Sequence, residues 1–170
     1  MRNYIKIADK YIEDVLSNKI PTCRYVKQAC QRQVKDLKRK SWAYHFDITL
    51  ACRVCKFIEA LTHVKGPKAG ENIKLEPWQI FILTTVFGWV DKNNLRRFQR
   101  VYIEVPRGNG KSALSSGVGL YMLCADNEKG ADVYSFATTR DQAKIVFGDA
   151  QAMARANQPL KDCFGLSVLS

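Results

Sequence analysis

The stretch FQRVYIEVPRGNGKSALSSGVGLYMLC, residues 98–124, constrains the fold more than any other. Its first eight residues are rich in aromatic and β-branched types, which predicts a strand over 98–105. Residues 111–124 are small or helix-forming and predict a helix. Between them lies a glycine loop. Such a loop turns backbone N–H groups inward in front of a positive helix N-terminus, an arrangement suited to anions. Lys111 supplies a mobile cation for outer phosphates, and the Ser112 hydroxyl suits Mg²⁺. Gly108 and Gly110 free the backbone on either side of Asn109. The glycine that normally opens the pattern is absent; Val105 stands there, followed by Pro106 and Arg107. A bare Gly-Lys-Ser arises by chance in about one chain of this length in ten. Requiring a strand before it, a helix after it and a second glycine lowers that to about one in a hundred. Residues 106–112 therefore read as a nucleotide-binding loop. Arg107 adds a guanidinium beside the outer phosphates, although by itself it also fits a plain loop-flank arginine.

The charge balance points the same way. The chain has 27 Lys+Arg against 16 Asp+Glu, a net +11, which favours a polyanionic partner without distinguishing DNA, RNA or acidic protein. Residues 1–65 carry 14 basic and 6 acidic side chains, so the excess is concentrated there. The basic run KDLKRK at 35–40 suits either a solvated helix end or a nucleic-acid contact. The apolar run at 80–90 is about half the roughly 20 residues that span a bilayer. With no membrane segment and no signal-peptide pattern, the expected location is the cytoplasm. Cys52 and Cys55 form a CxxC, but Cys23 and Cys30 make a poor second pair for zinc. Cys55 also falls on a helical stripe with Ala51, Val54, Ile58 and Leu61, which favours core packing.

Helices are expected at the start of the chain. Ile5, Ala8, Ile12, Val15 and Leu16 form one stripe, and Val26, Ala29, Cys30, Val34 and Leu37 form a second after a break at Pro21–Thr22. A third helix is expected over 47–63. The glycine- and lysine-rich residues 63–74 read as a linker, followed by a helix opening at Pro77. Residues 91–94 read as a turn. A second strand is predicted at 131–137 and a long helix at 138–156, with Thr139 and Gln142 at capping-box spacing. Strand, helix, strand, helix with short connections implies parallel strands. The predicted fold is thus α/β: an incomplete P-loop NTPase-type parallel sheet flanked by helices and preceded by a helical N-terminal region. The corresponding organisation is a helical region at 1–65, a linker at 66–75 and the first part of the ATPase domain at 76–170. Hydrolysis in such a fold uses an acid at the tip of a second strand. Residues 131–139 end in Thr-Thr, and Asp141 and Asp149 fall within the predicted helix, so the acidic strand is expected beyond residue 170.

LEPWQIFIL at 75–83, the loop stretch at 96–112 and GADVYSFATTRDQAKIVFGDA at 130–150 together resemble the ATPase half of phage terminase large subunits, which package tailed-phage DNA. The resemblance extends over roughly residues 46–156. It implies a loop that lacks the first glycine and carries an arginine after proline, as at Pro106 and Arg107. It further implies catalysis in cis by Arg107, a phosphate-gripping Lys111 and a Mg²⁺-coordinating Ser112. Gln79 of PWQ would contact the adenine of ATP, although by itself it also suits a polar position on an amphipathic helix. Implied for the full-length protein are a nuclease domain and a ring on the portal. The implied partners are double-stranded DNA, the portal protein and a small terminase subunit, in the bacterial host cytoplasm. Two other readings share the loop: a helicase-like nucleic-acid translocase, and an inactive fragment serving only as an interaction module.

Overall fold

A computed structural model describes residues 2–168. The chain divides into two compact units, Met1–Cys55 with Leu75–Tyr102, and Lys56–Lys74 with Ile103–Ser170.

The first unit is built on α1 (Tyr4–Leu16), α2 (Arg24–Leu37) and α4 (Pro77–Gly88), with the start of α3 (Ile48–Glu59). Asn3 starts α1 by accepting a hydrogen bond from the Lys6 N–H at 2.9 Å. The expected α1 stripe is largely inside: Ala8, Ile12 and Val15 are buried, and Leu16 packs against the core from its edge. There Ile12, Val15, Cys30 and Phe81 form one cluster, and Tyr11 stacks on Phe81 with ring centres 5.5 Å apart. Burial pushes the Cys30 thiol up to about 11, so it packs as a neutral small hydrophobe. The α2 stripe faces the core except at its end: Cys30 is buried and Val26, Ala29 and Val34 pack against the same cluster, while Leu37 is 47% exposed. The inward face also takes in two polar residues, Gln33 and Asp36, which are buried. The Trp89 indole N–H donates to Gln33 Oε1 at 2.7 Å, and Arg97 holds Asp36 at 2.7 Å. These two pairings satisfy polar groups that would otherwise be costly inside, and they hold the inward face of α2 beside its apolar stripe.

A short antiparallel ladder joins β1 (Tyr44–Phe46) to β2 (Trp89–Asp91), with His45 opposite Val90. Asp47 then donates its N–H to the Gly88 carbonyl at 2.7 Å and caps α3 through its side chain. The expected turn at 91–94 is present: Asp91 Oδ1 accepts from Asn93 and Leu95 N–H groups, and Asn94 adopts φ 61°. The reversal carries Arg97 back beside α2.

The second unit contains α5 (Lys111–Cys124), α6 (Arg140–Ala156) and α7 (Gln158–Phe164). Ser116 on α5 donates to the Val146 carbonyl of α6 at 2.8 Å. Gly117 allows close approach, because a Cβ there would lie 3.2 Å from Ile58. Phe57 stacks edge-on with Tyr121 and Phe164. Ala51, Val54, Cys55, Ile58 and Leu61 are all fully buried, as the α3 stripe predicts. Thr139 accepts from the Gln142 N–H and starts α6 as expected, and Phe147 on that helix is 55% exposed. The glycine-rich residues 63–74 are an ordered loop: Thr62 bridges Asn72, and His63 donates to the Glu71 carbonyl at 2.8 Å.

The parallel sheet expected from sequence is not formed among the described residues, whose only multi-residue ladder is the antiparallel β1–β2 pair. Residues 98–105 and 131–137 form no ladder. Their composition suits a pleated, half-buried surface, but a strand exists only with a neighbour to bond. Without one, Tyr102, Tyr134 and Phe136 lie 86%, 72% and 88% exposed.

Candidate nucleotide-binding loop

The loop at 105–110 lies in the second unit and runs into the first turn of α5. Its shape comes from two glycines. Gly108 adopts φ 88°, and Gly110 adopts φ 71° and ψ 17° as the N-cap of α5. A side chain at such left-handed positions costs roughly 1–2 kcal/mol, so each glycine meets a conformational demand. At Gly108 the demand is purely conformational, since a Cβ there would meet nothing within 4 Å. Asn109, between them, donates from its amide to the Pro106 carbonyl at 3.1 Å and pins the turn. The Gly110 carbonyl accepts from the Leu114 N–H at 3.0 Å, so the helix begins directly behind the loop.

Lys111 reaches back over this turn. Its ammonium donates to the Val105 carbonyl at 2.6 Å and to the Pro106 carbonyl at 3.3 Å. The cation is therefore held at the mouth of the loop by the loop's own backbone. Arg107, at the apex, is exposed and makes no hydrogen bond or ion pair among the described residues. Ser112 is half-buried at the start of α5. The structure thus brings Pro106, Arg107, Gly108, Asn109, Gly110, Lys111 and Ser112 into one turn on a helix N-terminus. The turn carries an arginine and a lysine in front of the first N–H groups of a 14-residue helix. This donor set fits a polyphosphate and leaves a hydroxyl for its metal ion.

Gln79 lies in the first unit. It is the third residue of α4, where its Oε1 accepts from the Glu76 N–H at 2.8 Å while the Glu76 carboxylate accepts from the Gln79 N–H. This capping box, which sequence reading missed, engages one end of the side-chain amide. The signal was present as Glu76 and Gln79 three apart beside Pro77. Asp149, placed within a helix by sequence, is buried on α6 and paired with Lys65 at 2.6 Å.

The family model for the terminase large subunit, ATPase domain, matches residues 77–163, which takes in α4, the loop, α5 and α6. Among curated proteins, the terminase large subunit of Enterobacteria phage HK97 is 29% identical over 112 residues, covering 65% of this chain. The aligned part is 21% of that relative, so the chain spans about a fifth of its length. No solved structure matches.

Proposed function

The chain belongs to the terminase large subunit ATPase domain family, and from that premise we propose that it is the ATP-binding part of a DNA-packaging motor. In the full-length protein the motor hydrolyses ATP to drive double-stranded DNA into a procapsid, and a separate nuclease domain cleaves the DNA. It works as a ring on the portal with a small terminase subunit, in the host cytoplasm.

The observation that carries the reading is Lys111 curled onto the carbonyls of Val105 and Pro106, in a turn shaped by Gly108 and Gly110. Carbonyl oxygens are weak anchors for an ammonium compared with a phosphate, so the lysine is poised to transfer its donors to one. Backbone N–H groups of 108–112 would hold the inner phosphates, and Ser112 Oγ would hold Mg²⁺. When bound, Mg²⁺ neutralises charge on the outer phosphates. Arg107, unpaired at the apex, would stabilise charge that builds on them during transfer. Gln79 would present its remaining amide N–H₂ to the adenine ring. Among the described residues no acid stands at the end of residues 131–137, so turnover needs a carboxylate from elsewhere in the full-length protein.

Calorimetric titration with Mg-ATP tests this. The 170-residue chain is expected to bind ATP, and Lys111→Ala to weaken binding at least tenfold, a loss of about 1.4 kcal/mol or more. Its turnover is expected not to exceed that of Lys111→Ala. Equal affinity in the two proteins would contradict the reading and favour an interaction module that uses no nucleotide.

A further inference from the structure

The second helix has an outward face of unusual charge. Arg24, Gln28, Gln31, Lys35 and Lys38 succeed one another at steps of four and three, which places them in one row along α2 and its C-cap. All five are exposed. Arg32 and Arg39 flank the row. The only acid of the helix, Asp36, is turned inward at 4% exposure and is held by Arg97 at 2.7 Å and Arg39 at 3.6 Å. The outward face therefore has cations and amides and no carboxylate.

A solvated helix normally mixes signs at these spacings. Here Arg32 and Lys35, and Lys35 and Lys38, are like-charged neighbours at spacings where like charges repel. The flanking guanidinium groups are also fixed in place. Arg32 stacks on Phe98 at 5.0 Å and Arg39 on Trp42 at 4.7 Å, while Arg97 sits over both rings at 4.4 and 4.6 Å. A surface that accepts repulsion and orders its cations in advance is built to meet a row of anions.

We infer that this face of α2, with Arg24, Lys35 and Lys38 along it and Arg32 and Arg39 on its edge, docks the phosphate backbone of duplex DNA. From Arg24 to Lys38 the row runs about 21 Å at 1.5 Å per residue. That length covers about six base-pair steps of 3.4 Å. Arginine, lysine and glutamine are the side chains that take phosphate oxygens without reading bases. Single-stranded nucleic acid fits less well, because the rings of Trp42 and Phe98 already carry guanidinium groups instead of offering stacking platforms. The docking is sequence-tolerant and salt-sensitive. It extends the proposed function, resting on it for taking DNA as the duplex, and it lies outside the residues matched by the family model.

Fluorescence anisotropy with a labelled 30-base-pair duplex of mixed sequence, without nucleotide, tests the inference across 50 to 200 mM NaCl. The unmodified chain is expected to bind with steep salt dependence. The triple variant Arg24→Gln, Lys35→Gln, Lys38→Gln is expected to bind at least tenfold more weakly, with a log-log salt slope flatter by about 1 for each cation removed. Lys35→Arg with Lys38→Arg, which keeps the charge, should retain binding, and this variant separates the effect of charge from a failure to fold. Unchanged affinity and slope in the triple variant would overturn the inference. So would a chain that ignores the duplex, whether or not it binds poly-glutamate. Lys111→Ala should keep duplex binding, so a failed ATP titration and a failed docking face are told apart.

Discussion

Arg107 and Lys111 are both cations of one short turn, and in the proposed nucleotide site their surroundings would give them different work. Lys111 is already engaged, donating to two loop carbonyls, and it can exchange those partners for phosphate oxygens at little cost in ordering. Arg107 is exposed at the apex and has no such anchor. A group that finds its partner only as charge moves during transfer affects the rate more than the binding. In the full-length protein, Arg107→Ala is therefore expected to lower kcat by roughly a hundredfold or more while changing ATP affinity little. Arg107→Lys should recover only part of the loss, since an ammonium lacks the planar fork. Steady-state kinetics beside equilibrium binding check this. A loss shared equally between affinity and rate would mean that the arginine binds the ground state.

At the scale of elements, the junction of α4 and β2 leaves no room for a side chain. A Cβ at Gly88 would lie 2.5 Å from Phe46 Cε2 and 2.9 Å from Ala51 Cβ. The chain can turn from helix to strand there only because that atom is missing. Gly88→Ala is expected to destabilise the chain by about 1–3 kcal/mol in urea unfolding, with Phe46→Leu in the same chain restoring part of it. An unchanged midpoint would show that the ring moves aside freely. The sequence announces elements like α1 and α5 because their signals are local: an apolar period, a cap, a glycine after a strand-like run. The glycine turn before α5 is legible for the same reason, since Gly108, Gly110 and Lys111 shape it within a few residues of one another. The polar part of the inward face of α2 is not legible, although its apolar stripe is. Gln33 and Asp36 belong inside only because Trp89 and Arg97, 56 and 61 residues away, come back to meet them. The β1–β2 ladder is equally hidden, being three residues to a strand and closed across the whole of α3 and α4.

At the scale of the whole molecule, residues 98–105 and 131–137 have the composition of strands and the exposure of loops. Ser135 Oγ donates to the Ala143 carbonyl at 3.0 Å, and a Cβ on Gly119 would lie 3.6 Å from Val133, so the second segment is laid against its neighbouring helices. Its ladder groups nevertheless have no strand to bond among the described residues. Tyr134 and Phe136 remain largely in water, an unfavourable place for two rings that could bury about 150–250 Å² each. The chain spans about a fifth of its curated relative, so further strands in a full-length protein would supply what these two segments lack. Backbone amide exchange measures this directly, because an N–H outside a ladder exchanges by local opening while one in a packed helix waits for larger unfolding. In the 170-residue chain, amides of 131–137 should exchange far faster than those of α4, whose helix is buried along most of its length. In the full-length protein the same amides, and those of 98–105, should slow by at least a hundredfold as they enter a parallel sheet. Rates for both segments that stay unchanged in the full-length protein would mean that they are surface loops of strand-like composition. The parallel sheet would then have to be sought elsewhere in the chain.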